Sequence, residues 1–265
     1  TPQGLWGIRR NRMNDYESLE KELINLLLEN QKRYPEMQAQ DMIKFLLQGM
    51  MGNGHILSAP DRIEAWLKTE MDRIEPDPRE PLKEAVSPFW MRLNLRRALA
   101  EQLTVKQIAQ LMYLTDCLCR ETQVPDIPQF TREDVYEAFG RLVRRIAMHM
   151  SELGIEAADF AIRIGKEKEQ ILDPRWLPSH SDLYRHLYRP AYRIISAAWT
   201  PYLDAVCGIS RKAAAGQRIL VTLDGPCATG KTTLAGLLAA VFDADVIHTD
   251  DYVVPHAQKT VQRLS

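Results

Sequence analysis

The stretch GPCATGKT at positions 225–232 sets two glycines, a lysine and a hydroxyl at the spacing G-x-x-x-x-G-K-[ST], a pattern that lets a chain surround phosphate with its own amides. Gly225 and Gly230 admit backbone conformations closed to other residues, so successive N–H groups can turn inward at the positive end of a following helix. The candidate nucleotide-binding set is therefore Gly225, Pro226, Cys227, Ala228, Thr229, Gly230, Lys231, Thr232 and Thr233. Within it, the Lys231 ammonium would sit on the β- and γ-phosphates as a catalytic group, and the Thr232 hydroxyl would help hold Mg²⁺. A second reading of the same residues is a Gly-rich strand-to-helix turn with an exposed lysine.

Such a loop needs a strand before it and a helix after it. Ile219 to Leu223 is a short apolar run bounded by Gly-Pro, which predicts a buried parallel strand, and Thr233 to Val241 carries Ala/Leu-rich helical sequence. Val246 and Ile247 predict another short buried strand, from whose C-terminal end Asp250 and Asp251 emerge. In an open α/β sheet, that edge is where ligands bind. Both carboxylates also fit a solvated turn. His248 reads as a packing or hydrogen-bonding residue at a strand end, and Cys227 as a small residue tolerated in the loop.

Taken together, DGPCATGKTTLA from Asp224 and HTDDY from His248 resemble the uridine kinase and phosphoribulokinase group of P-loop (Walker A) phosphotransferases, over about the last fifth of the chain. The resemblance implies that Asp250 faces an acceptor hydroxyl and acts as its base. It implies ATP and Mg²⁺ as cofactors and a nucleoside such as uridine as acceptor, the activity being ATP-dependent phosphorylation of a small-molecule hydroxyl. The alternative is a nucleotide-responsive regulatory or interaction protein that phosphorylates no metabolite, because one fold hosts both uses. The resemblance further implies later strands, another acidic or polar group near Mg²⁺ and an Arg-bearing lid; with none before Ser265, the chain is expected to be part of a longer protein.

The remaining sequence sets the frame. With 265 residues, 45% hydrophobic and 26% charged, the chain can bury a sizeable core, and two domains are expected. The expected fold class is a mainly α N-terminal domain at 13–207, a polar linker at 208–216, and at 217–265 the first part of an α/β P-loop NTPase domain with a parallel sheet. Residues 1–12 lack a clear period and read as a non-native or read-through leader, with Met13 as a natural start. A net charge of −1 argues against nucleic acid as a partner. No apolar stretch is long enough for a bilayer and no secretory pattern precedes the helices, so no membrane partner and a cytoplasmic location are expected. Cys117, Cys119, Cys207 and Cys227 lack the paired spacing of a zinc site or a disulfide framework.

Helical periodicity dominates from Asn14 to roughly Ala205. Leu19, Leu23, Leu26 and Leu27 share a face, a second helix spans Gln38 to Met50, and a third carries Ile63, Trp66, Leu67, Met71 and Ile74 inward. A loop follows from Glu75 to Pro88, then helices across Leu93–Leu103, Thr104–Cys119, Thr131–Leu153 and Asp159–Gln170. Two clusters stand out: GNGH ending at His55, and SHSDLYRHLYRPAYR from Ser179 to Arg193. Arg185, Arg189 and Arg193 recur every four residues and, with Arg92 and Asn94, could cradle an anion. The plainer reading is a helix-ending turn, a buried satisfied histidine and a solvated basic face. Metal binding by His55 and His180 has no motif behind it.

Overall fold

In the computed structural model, residues 3–52, 60–120, 133, 136, 172, 173, 179–227 and 229–252 are described. The chain divides into two compact units, Thr1–Ile219 and Leu220–Ser265.

The first unit starts with α1 (Gln3–Arg33), whose Leu19, Leu23 and Leu27 fall on one stripe and are all buried. Helix α2 (Ala39–Met51) is enclosed on most of its circumference: Met42, Ile43, Phe45, Leu46, Leu47 and Met50 are buried. Gly49 allows this close approach, since a Cβ there would stand 2.3 Å from Leu23 Cδ2 and 2.7 Å from the Val86 carbonyl oxygen. Helix α2 ends at Gly52, whose φ of +64° and contact with the Trp90 ring both exclude a side chain. The histidine of the GNGH cluster, His55, lies outside the described residues.

Helix α3 (Pro60–Met71) buries Ile63, Leu67 and Met71, as the periodicity predicts. Trp66, expected inward with them, is instead 63% exposed, because it falls one position off the buried i, i+4 row. Helix α4 (Leu95–Ala100) is capped by Asn94, and α5 (Val105–Arg120) by reciprocal bonds between Thr104 and Gln107. Later come α6 (Asp182–Tyr188) and α7 (Leu203–Ala214), the latter extending into the segment expected to be a linker. The helices expected at 131–153 and 159–170 lie almost entirely outside the described residues.

The first unit is not all helix. Strands β1 (Lys83–Ala85), β2 (Trp90–Asn94) and β3 (Tyr192–Ser196) form a three-stranded antiparallel sheet in the order β1-β2-β3. Strand β1 occupies the expected loop, and β2 takes the start of an expected helix. Neither strand shows period-two alternation, since β2 is buried on both faces apart from its last residue. Tyr192 and Ile194 turn toward α1 and α2, where Ile194 joins the main core, while Arg193 reaches Glu70 on α3. On the α5 side, the Ser196 N–H donates to Thr115 Oγ1 at 3.1 Å.

In the second unit, α8 (Lys231–Phe242) follows a turn, and a short 3₁₀ segment spans Thr249–Tyr252. The parallel P-loop sheet expected here is corrected by what flanks that helix. Among the described residues, 219–223 and 246–247 pair with no strand, and Leu220 is 85% and Ile247 69% exposed. A parallel strand needs hydrogen-bonded neighbours and covered faces. Helix α8 buries only Leu238 and Val241 among the described residues of this unit, so it covers neither apolar run. The architecture is helical with a small antiparallel sheet, not a parallel-sheet NTPase.

Candidate functional site

Polar residues 41, 44 and 48 share one face of α2 at i, i+3 and i+7, an unusual placement on a helix so deeply packed. Asp41 is fully buried and accepts four hydrogen bonds. Its Oδ1 receives His180 Nδ1–H and the Ser181 amide, both at 2.9 Å; its Oδ2 receives the Ser181 hydroxyl at 2.6 Å and the Gln38 amide at 3.0 Å. Burial alone would raise the carboxyl pKa, but the bonds from His180, Ser181 and Gln38 outweigh it and hold it below the ordinary value. Ser181 also caps α6 through the Tyr184 amide at 3.1 Å. The carboxylate thus fixes the start of α6 as well as its own helix.

From His180 the row continues across the sheet. Nε2 lies 2.6 Å from the Tyr192 hydroxyl, and the Gln48 side-chain amide donates to that hydroxyl at 3.2 Å. Arg92 donates from Nη2 to Gln48 Oε1 at 3.0 Å and from Nη1 to Glu84 Oε2 at 3.2 Å. Its guanidinium carbon stands 4.5 Å from the Tyr192 ring centroid and 5.1 Å from that of Phe45. Burial works against this cation, but Tyr192 and Glu84 more than compensate, and its pKa lies above the ordinary value. The imidazole stacks on Tyr184 at 4.3 Å, and burial depresses its pKa to about 4 despite Asp41. His180 is therefore neutral and fully engaged at neutral pH, which suits a positioning residue better than a metal ligand. No group of three or more His, Cys, Asp or Glu residues able to hold a metal occurs among the described residues.

Beside this row lies an open groove of about 610 Å³, to which Lys44, Arg73, Arg96, Arg185 and Arg189 contribute. The residues of the expected basic cluster are redistributed here. Helix α6 stops at Tyr188, so residues 185, 189 and 193 do not share a helix. Arg189 ends it in the left-handed region, φ 44° and ψ 56°, directly before Pro190. For a residue preceding proline that conformation costs roughly 1–3 kcal/mol. Arg193 is taken by Glu70 and Arg92 by Glu84, while Asn94 caps α4. Arg185 and Arg189 reach the groove, where Lys44, Arg73 and Arg96 join them. The latter three were not apparent as site residues, since α2, the turn after α3, and α4 supply them separately; the one signal was a lysine amid the apolar residues of α2.

In the second unit, the turn before α8 has Gly225 at φ +149° and Gly230 at φ +81°. The Lys231 ammonium donates to the carbonyls of Gly225 and Pro226 at 2.7 and 2.6 Å, and the Thr229 hydroxyl to Pro226 at 2.9 Å. Pro226 and Cys227 are exposed, and so are Thr232 and Thr233 in the first turn of α8. Ala228 lies outside the described residues. Asp250 belongs to the 3₁₀ segment at 249–252, and the Asp251 amide donates to the His248 carbonyl at 3.1 Å.

Comparisons with protein-family models, curated proteins and solved structures found no match for this chain. Together with the antiparallel sheet, that overturns the resemblance to uridine kinase and phosphoribulokinase, and with it the reading as a P-loop kinase. A Walker A match carries chemistry only where strand, loop and helix stand in a sheet. Among the described residues that frame is missing, so the short motif supports no ATP-dependent phosphotransferase. No helix among the described residues is long and apolar enough to cross a membrane.

Proposed function

We propose that this chain is a regulatory or interaction protein that holds a phosphorylated ligand, a nucleotide foremost, and transfers no phosphoryl group to a small molecule. The observation that carries the reading is the exposed turn at 225–231, where two glycines with positive φ precede a helix start and a lysine folds onto main-chain carbonyls. Main-chain N–H groups at a helix start and a nearby ammonium are complementary to phosphate oxygens. A phosphate would replace two neutral carbonyls as the partner of Lys231 with a charged acceptor, and charge-assisted bonds are the stronger kind. On this reading Gly225, Gly230, Lys231, Thr232 and Thr233 bind the ligand, with Mg²⁺ screening its charge beside Thr232.

The test is an equilibrium titration of the chain with ATP and with GTP, with and without Mg²⁺, beside a Lys231→Ala variant. Saturable binding weakened at least about tenfold by the substitution is expected, the loss of one charge-assisted contact. Binding unchanged by Lys231→Ala would remove the turn from the function. ADP formation that depends on added nucleoside would sink the non-catalytic half of the proposal.

A further inference from the structure

We propose that the groove between α2, α3, α4 and α6 in the first unit is a second ligand site, built for a small organic phosphate bearing two or more negative charges. Lys44, Arg73, Arg96, Arg185 and Arg189 line the groove, and Glu70 is the one acidic residue lining it among the described residues. Glu70 is already paired with Arg193. The chain as a whole carries a net charge of −1, so five cations around one concavity are a local concentration and not a sample of a basic protein.

Lys44 is half-buried and has no hydrogen-bond or ion-pair partner among the described residues; the nearby carboxylate of Asp41 is occupied by His180, Ser181 and Gln38. Burial, followed by repulsion from Arg92 and Arg185, lowers the Lys44 pKa to about 8. Arg185 meets Asp182 at 4.0 Å, a loose and exposed pair, and Arg96 reaches the Glu75 carbonyl at 3.5 Å. Mutual repulsion of this kind is relieved by an anion that contacts several of the cations together.

The cations converge on a groove of about 610 Å³ walled on its apolar side by Ile74, Pro190 and Ala191, the size of a metabolite pocket. Charges spread along a ridge would suit a polyanionic surface such as nucleic acid. Rigid placement supports the same assignment: Asp41 and Ser181 anchor the start of α6, which carries Arg185, and the left-handed Arg189 closes its end. The site is independent of the turn at 225–231, and its test must be kept apart from it.

The experiment uses the chain carrying Lys231→Ala, titrated calorimetrically with inorganic phosphate, pyrophosphate, ribose 5-phosphate and a short single-stranded DNA. Saturable binding of pyrophosphate or ribose 5-phosphate is expected, weakened about tenfold or more by adding Arg185→Ala, with the melting temperature of the free protein unchanged because Arg185 is exposed. Lys44→Met is expected to weaken it similarly; should that variant fail to fold, Arg185→Ala alone decides. No binding by any phosphate, binding indifferent to Arg185→Ala, or DNA bound more tightly than both small phosphates would each overturn the assignment. Loss of nucleotide binding through Lys231 alone would leave this site standing, so the two proposals fail separately.

Discussion

Tyr192 and His180 are joined by a 2.6 Å hydrogen bond whose direction is set by its neighbours. Asp41 is a carboxylate and can only accept, so Nδ1 of His180 carries the ring proton. Nε2 is then a lone pair, and the Tyr192 hydroxyl donates to it. That hydroxyl has no second proton to give, so Gln48 must turn its amide nitrogen toward Tyr192 and its oxygen toward Arg92, as the 3.2 and 3.0 Å distances allow. The row runs Arg92, Gln48, Tyr192, His180, Asp41 with every donor spent in one direction. It ties α2 to β2, β3 and the start of α6, the elements that supply or support the groove.

Acid should undo this row. The His180 pKa is lowered from 6.5 to about 4 in the folded chain, mainly by burial. Protons therefore bind the unfolded chain more readily, and the stability from neutral His180 is complete above about 6.5 and lost as pH falls through about 4. Asp41 adds to the loss below its ordinary value of 3.8, being depressed in the same direction. Urea midpoints across this range should fall with acid, and His180→Gln should flatten the limb. A midpoint level down to about pH 4 would contradict the buried neutral imidazole.

Removing the two ends of the row should cost unequal amounts. Asp41→Ala strands an imidazole N–H, two amides and a hydroxyl in a buried site, and a loss of about 3–5 kcal/mol is expected. Tyr192→Phe leaves only the Nε2 lone pair and one Gln48 donor without a partner, about 1–3 kcal/mol. Chemical denaturation of both variants reads the order directly, and an equal loss would mean that the carboxylate is not the hub.

Much of the first unit was legible because helical stripes depend on residues three and four apart. Leu19, Leu23 and Leu27 mark α1, and Ile63, Leu67 and Met71 mark α3, without any knowledge of partners. The sheet was not, because pairing Arg92 with Ile194 joins residues about a hundred positions apart and buries both faces of β2. The second unit failed in the opposite sense. Val246 and Ile247 have the residue types of a buried strand, but a strand exists through its neighbours, and Ile247 stands 69% exposed. For the groove, Arg185 and Arg189 were visible as a basic run; Lys44, Arg73 and Arg96 were not, since only folding brings two helices and the turn after α3 to one concavity.

Two glycines separate crowding from backbone conformation. Gly49→Ala would press a methyl against the Val86 carbonyl at 2.7 Å, a main-chain atom that cannot turn aside, and α2 would have to move. About 2–3 kcal/mol of destabilisation is expected, of the overpacking kind. Gly216 has φ +72° and open space around it, so Gly216→Ala should cost only the left-handed penalty of about 1 kcal/mol. Denaturant midpoints of the pair test the ranking, and a costlier Gly216→Ala would show that α2 can shift off Val86 with ease.

Arg92→Lys keeps the charge and should still fail to replace the arginine. The guanidinium spans Gln48 and Glu84 with separate nitrogens and lies against the Tyr192 ring at 4.5 Å. An ammonium is a compact, strongly hydrated charge that cannot form the fork or the stacked contact, and its desolvation in so buried a position is costlier. A loss of about 2 kcal/mol is expected for Arg92→Lys, at least half of that for Arg92→Ala, read from urea unfolding of the three proteins. Because Gln48 would lose its Arg92 donors, the Gln48–Tyr192 contact should loosen too, and Tyr192→Phe should cost less in the Arg92→Lys background than alone. Additive losses in that double-mutant cycle would mean that the row is four separate contacts and that Arg92 serves only as a buried charge.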